Sequence, residues 1–137
     1  MTNLINQNLI SSLINNNDKV LDIGCGNGEL LYFLEKTKNI QGQGIEISHL
    51  GVKESVSKGL SVIQGDADED LINFPDHTFD IVILSDTLQA THKPKEVLEQ
   101  MLRIGKKCII CIPNFGYWKY RLQILFNGVM PVAKTLS

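Results

Sequence analysis

The stretch that most constrains this chain is Val20–Gly28, VLDIGCGNG, read together with the acid at Glu46. Val20, Leu21 and Ile23 predict a short buried strand, and Gly24, Gly26 and Gly28 come where that strand must turn into an apolar helix over Glu29–Leu34. Glycines suit such a turn because its backbone takes dihedrals that a Cβ forbids, and because a ligand can approach the bare main chain closely. A glycine-rich turn alone is a weak signal. Here a second predicted strand, Gln43–Ile47, delivers the Glu46 carboxylate about 20 residues on, the distance at which a ribose-binding acid is expected.

Spacing and charge narrow the ligand. A dinucleotide fingerprint reads G-x-G-x-x-G, but counting from Gly24 its third glycine falls on Glu29, whereas the glycine present is Gly28. A pyrophosphate also wants the bare positive end of a helix, and Asp22 and Glu29 bring carboxylates to both sides of this turn. A ligand with a cationic amino-acid end and a nucleoside end fits better. S-adenosylmethionine has that form, with its ammonium and sulfonium expected near the loop and its ribose hydroxyls near Glu46.

At these residues the chain resembles the class I S-adenosylmethionine-dependent methyltransferases, whose first two motifs look like DIGCGNG and GIEI. Three further stretches resemble the MetW family of bacterial methionine-biosynthesis proteins: Val62–Leu71 (VIQGDADEDL), Phe74–Thr91 (FPDHTFDIVILSDTLQAT) and Pro113–Val132 (PNFGYWKYRLQILFNGVMPV). The likeness runs from about Leu13 onward, and its LQAT and PNFGYW segments are the specific ones. It implies a Rossmann-like α/β fold, with a parallel sheet of order 3-2-1-4-5 and helices on both faces. It also implies that Asp66 meets the adenine amino group, with the Ala67 backbone beside the ring. The expected cofactor-binding set is Asp22, Gly24, Cys25, Gly26, Gly28, Glu46, Ile47, Asp66, Ala67 and Ser85. Members of the MetW family work beside homoserine O-acyltransferase, which makes that enzyme the expected partner.

The length of 137 residues and a hydrophobic fraction of 43% suit one domain with one core. The net charge of −2 hides an asymmetry: all fifteen acids precede residue 100, and six of the thirteen lysines and arginines follow it. Those cations are too scattered for a nucleic-acid stripe, and no aromatic residues alternate with them as a stacking platform requires. Three cysteines, an odd count, argue for a reducing compartment. Cys108 and Cys111 lie three apart in a predicted strand, so they point to opposite faces and cannot share a metal. Cys25, inside the glycine turn, could be reactive, but it reads better as a small residue tolerated beside the ligand. With no leader-like N-terminus and no apolar run long enough to span a bilayer, no membrane contact is expected and the expected location is the cytoplasm.

The rest of the chain reads as alternating elements. Met1–Asn17 predicts an amphipathic helix against the sheet edge, and Ser48 caps a helix running to about Lys58 and stopping at Gly59. Leu60–Gln64 is the third strand. The acids Asp66, Asp68, Glu69 and Asp70 do not fit a calcium loop, since the positions needing glycine and glutamate hold Leu71 and His77. Asp68–Asp70 therefore reads as the solvated first turn of a short helix, and no metal is expected. Phe79–Leu84 is the central strand, Pro94 opens a helix ending at Gly105, and Lys107–Pro113 is the fifth strand. Tyr117–Phe126 has helical apolar spacing, and Phe115, Tyr117, Trp118 and Tyr120 are expected to cover strand five or meet another chain. The domain is expected to span residues 1–137 and to be incomplete at its C-terminus. The sheet would then be truncated before its last strands, leaving strand five open.

Methyl transfer from a sulfonium is an in-line displacement in which alignment within a dry pocket is the main help a protein gives, and a general base is optional. His92 is the best-placed candidate base and Asp86 the second, although a lone histidine before a helix is more often a surface or capping group. Ser85, Gln89, Thr91 and Asn114 could orient a small-molecule acceptor. The residues leave two readings open: a small-molecule methyltransferase, or a non-catalytic S-adenosylmethionine-binding partner or regulator of homoserine O-acyltransferase.

Overall fold

The computed structural model describes residues 4–85, 91–114, 119–126 and 132–135. In chain order the elements are α1 (Leu4–Ser12), β1 (Lys19–Ile23), α2 (Glu29–Lys38), β2 (Gln41–Glu46), α3 (His49–Ser57), β3 (Val62–Gln64), α4 (Ala67–Asp70), a 3-10 turn (Leu71–Asn73), β4 (Phe79–Ser85), α5 (Pro94–Ile104), β5 (Gly105–Asn114), β6 (Lys119–Phe126) and β7 (Val132–Thr135). The expected order 3-2-1-4-5 is present, with β1 pairing in parallel to β2 and β4, β2 to β3, and β4 to β5. A parallel sheet covered on both faces needs strands that are apolar on both sides. β4 meets this with Ile81, Val82, Ile83 and Leu84 all buried, each such side chain contributing roughly 1.5–3 kcal/mol.

The two core layers follow from strand alternation. Val20, Ile81, Ile83 and Ile109 pack with Ile10 of α1, with Ile14 just after it, and with Leu30, Leu31 and Leu34 of α2. Leu21, Ile23, Val82, Leu84 and Ile110 pack on the other face with Val97, Met101 and Ile104 of α5. Cys111 belongs to the first layer and Cys108 to the second, so their thiols lie on opposite faces as the strand period requires. The N-terminal helix lies over the first face beside α2 and not at the sheet edge as its sequence suggested. Its apolar stripe removes more surface from water there than an edge would allow.

The larger correction lies past β5. Residues 119–126, expected to be helical, form β6, which runs antiparallel to β5 from Lys107↔Phe126 to Asn114↔Lys119, and β7 then pairs antiparallel to β6. The sheet order is therefore β3-β2-β1-β4-β5-β6-β7, and β5 is not the open edge that the truncated sheet implied. Tyr120, Leu122, Ile124 and Phe126 fall at every second position, a strand period that also passes for loose helical spacing. The edge of β5 decides between the two. Its backbone donors and acceptors gain partners from a strand and none from a helix. Phe115, Tyr117 and Trp118, expected as cover or partner surface, lie outside the described residues, as does the side chain of Tyr120.

Candidate functional site

β1, β2 and β3 end side by side at one edge of the sheet, and the turns leaving them form a cleft of about 110 Å³. Ile23, Gly24, Ile45, Glu46, Ile47, Gly65, Asp66, Ala67, Asp68 and Thr91 line it. Five of the expected residues, Gly24, Glu46, Ile47, Asp66 and Ala67, thus come together in its lining. Carboxyl ends of strands are where open α/β sheets bind ligands.

The glycine turn is held by hydrogen bonds within the protein. Gly24 and Cys25 donate their amides to the Ile45 carbonyl at 2.8 and 3.2 Å, and Gly28 donates to the Cys25 carbonyl at 3.0 Å. Gly26 donates to Glu46 Oε1 at 2.8 Å, and the other carboxylate oxygen, Oε2, accepts the Ser48 amide at 2.8 Å. A phosphate cradle needs loop amides turned toward the ligand. In this turn four of them are engaged, one by a carboxylate whose charge would repel an anion. The same carboxylate, 9% exposed and fixed by two amides, keeps acceptor capacity for hydroxyl groups.

Gly26 has φ +58°, and a Cβ built there would meet no protein atom within 4 Å. The turn therefore needs glycine for its dihedral, and the side that a substituent would occupy is open space. Gly51 is constrained differently. A Cβ there would come 2.9 Å from both Glu46 Cγ and the Gly26 carbonyl oxygen. The first turn of α3 thus packs directly on the acid and the loop, and the Ser48 side chain caps it by accepting the Gly51 amide at 3.2 Å. Deeper in α3, fully buried Ser55 donates its hydroxyl to the Gly26 carbonyl at 3.0 Å. Gly51 and Ser55 were not singled out in the sequence. Glycine in a helix interior costs about 1 kcal/mol, so its presence three residues after the Ser48 cap was the available signal of close approach.

The remaining expected residues divide by location. Asp22 is buried at the end of β1. Cys25 turns its sulfur into the first core layer, where burial first and the Asp22 charge second push its thiol up to about 12. Gly28 begins α2 and packs against Leu60 and Ser55. Ser85 ends β4 opposite Cys111, with its side chain outside the description. Asp86 and Gln89, the second candidate base and one acceptor-orienting candidate, lie outside the described residues. His92 is exposed, and its backbone amide donates to Asp68 Oδ2 at 2.9 Å. Asp66 caps α4 by accepting the Asp68 amide at 2.9 Å. Asp68 is more than the solvated residue expected, because it also accepts the Lys93 amide at 3.1 Å.

Among the described residues no three His, Cys, Asp or Glu side chains are grouped to hold a metal ion, and no helix is long and apolar enough to cross a membrane. The donor set suits an adenosyl ligand on its own terms: a fixed carboxylate for a diol, apolar Ile47 and Ile23 for a ring, and an open side at Gly26.

The family model described as "Methionine biosynthesis protein MetW" matches residues 5–137. The chain is 34% identical over 137 residues to the Bifunctional methionine biosynthesis protein MetXA/MetW of Rhodopirellula baltica, an alignment covering 94% of this chain and 22% of that protein. Among solved structures, a TehB-like SAM-dependent methyltransferase from Corynebacterium glutamicum matches with TM-score 0.68 and 21% identity over 82% of this chain and 64% of its own. The [4+2]-cyclase SpnF matches with TM-score 0.69 and 21% identity over 77% of this chain and 43% of its own. The chain spans less than two thirds of the length of each. At such identities the two structures show the shared fold.

Proposed function

From the premise that this chain belongs to the MetW family of methionine biosynthesis proteins, we propose that it binds S-adenosylmethionine in the cleft at the ends of β1, β2 and β3 and transfers its methyl group to a small molecule. The observation that carries the cofactor assignment is the Glu46 carboxylate, bonded to the Gly26 and Ser48 amides at the mouth of the glycine turn. Glu46 would take the ribose hydroxyls, and Gly24 and Gly26 would let the methionine end pass close to the backbone, with Asp22 beneath. Asp66 and the Ala67 backbone would meet the adenine beside Ile47. When bound, S-adenosylmethionine supplies a methyl group activated on a sulfonium.

The chain's own part in that chemistry is to orient two reactants and exclude water, which is where most of the acceleration of a displacement arises. The buried acid and the engaged loop amides disfavour phosphorylated nucleotides in the same place. His92 and Asp86 are the candidate bases, and Ser85, Gln89, Thr91 and Asn114 the candidates for orienting the acceptor. S-adenosylhomocysteine released from S-adenosylmethionine in the presence of candidate acceptors tests the catalytic reading. No release with any acceptor, from a chain that binds the cofactor, counts against it.

One comparison favours a second reading. The Rhodopirellula relative is a single bifunctional chain named MetXA/MetW, of which this chain matches 22%. A MetW unit carried in such a chain supports a role as an S-adenosylmethionine-binding partner or regulator of homoserine O-acyltransferase. Binding without turnover, together with an acyltransferase rate that changes when the two proteins and S-adenosylmethionine are mixed, is the outcome expected of that reading. An unchanged rate and no co-purification oppose it.

A further inference from the structure

α5 begins with Lys93 as its cap residue and Pro94 in its first turn, and no side chain of its own caps it. Proline has no amide to offer. The last two donors before the helix, His92 and Lys93, are instead taken by one carboxylate from another element: Asp68 Oδ2 accepts the His92 amide at 2.9 Å, and Oδ1 accepts the Lys93 amide at 3.1 Å. These bonds join positions 24 and 25 residues apart. The charge also lies at the positive end of an eleven-residue helix, where an anion is favoured. The bond from the His92 amide, ahead of the other contributions, holds the Asp68 carboxyl below the ordinary carboxylate range.

Asp68 and Thr91 both line the cleft, and among the described residues Thr91 is the wall's contribution from the connection between β4 and α5. Asp68 belongs to α4, whose cap is Asp66. One side chain therefore ties the turn proposed to meet the adenine to the segment that brings Thr91 to the same cleft. The nearby ion pair between Lys93 Nζ and Glu69 Oε1, 3.4 Å apart and largely exposed, is too solvated to set that geometry. We infer that Asp68 is a positioning residue of the cleft: by holding the His92 and Lys93 amides it fixes where α5 begins and sets Thr91 against the side formed by Asp66 and Ala67.

The inference rests on the cleft being the S-adenosylmethionine site. Its test is amide hydrogen exchange by NMR on the full chain, with S-adenosylmethionine affinity measured on the same samples by calorimetry. In ligand-free Asp68→Ala the His92 and Lys93 amides should exchange roughly tenfold faster or more while β1 and β4 stay protected, and affinity should fall by about fivefold or more. Asp68→Asn, which keeps one carbonyl acceptor, should recover part of both effects, and it is the deciding variant if Asp68→Ala loses protection in β1 and β4. A role confined to stabilising α4 would leave the His92 and Lys93 exchange unchanged. That result overturns the inference, as does unchanged affinity once those amides are released. Wild-type protein that fails to bind S-adenosylmethionine overturns the reading of the cleft instead, and the exchange measurement, which needs no ligand, distinguishes the two failures.

Discussion

Glu46 Oε1 accepts the Gly26 amide at 2.8 Å, so the acid ending β2 is bonded directly to the turn that leaves β1. Two features that a sequence presents 20 residues apart are thus one structural unit. Gly51 packs against both of them, and Ser55 secures the Gly26 carbonyl from behind. On the proposed reading the cleft's selectivity would arise here, since a loop amide bonded to a carboxylate is withdrawn from phosphate while the carboxylate stays available to hydroxyls.

Glu46→Ala is expected to weaken S-adenosylmethionine binding by about 1–3 kcal/mol, the scale of hydrogen bonds to a charged group. The melting temperature should also fall, because the Gly26 and Ser48 amides lose their acceptor. Calorimetry and a thermal melt of the same variant check the two effects. A folded variant with unchanged affinity would put the ligand elsewhere.

Gly26→Ala should separate binding from stability. Its φ of +58° imposes a strain of about 1–2 kcal/mol on alanine, yet the new methyl group meets no protein atom within 4 Å and projects into open space. Stability should drop modestly and cofactor affinity much more. Loss of stability with full retention of affinity would remove this face of the turn from the site.

Ser55→Ala should act on the same loop from below. The Gly26 carbonyl would lose a buried donor, a change costing about 1–3 kcal/mol. Chemical denaturation gives the stability change, and recovery in Ser55→Thr would identify the hydroxyl as the cause. Equal stability of Ser55→Ala and wild type would show that the bond contributes nothing.

The thiols of Cys25, Cys108 and Cys111 are each pushed up to about 12, with burial the leading cause in all three. In the folded chain they should resist alkylation at pH 8, and all three should react after denaturation. The raised values also give stability a pH dependence. The unfolded chain releases these protons near pH 9 while the folded chain keeps them, so the contribution is complete below about pH 9 and declines as pH rises toward 12. Denaturation midpoints measured across that window check the sign.

Much of the fold was legible because its signals were local. The apolar runs, the Ser48 cap, Pro94 opening α5 and Gly59 after α3 each announce an element without reference to distant residues. The acid ending β2 and the glycines after β1 likewise carry the cleft in their spacing. What escaped was non-local. Residues 119–126 satisfy both helix and strand periods, and only the neighbouring edge of β5 selects the strand. Asp68 looked like one more acid in a solvated turn, because the amides it holds belong to residues 24 and 25 positions later. Gly51 and Ser55 matter through what approaches them, which spacing alone does not express.

Deleting residues 115–137 should expose the β5 edge that β6 covers. An unpaired apolar strand edge recruits other chains, so light scattering should show association and thermal melts should show lost stability relative to the 137-residue chain. A monomeric deletion variant that melts as high as the full chain would contradict the role of β6 as edge cover.

The most direct test of the central claim is calorimetric titration of the folded wild-type chain with S-adenosylmethionine and, separately, with NAD under the same conditions. The Glu46–Gly26 arrangement predicts saturable binding of S-adenosylmethionine and NAD binding that is roughly a hundredfold weaker or undetectable. Comparable affinity for NAD, or no binding of S-adenosylmethionine by protein shown to be folded, would contradict it.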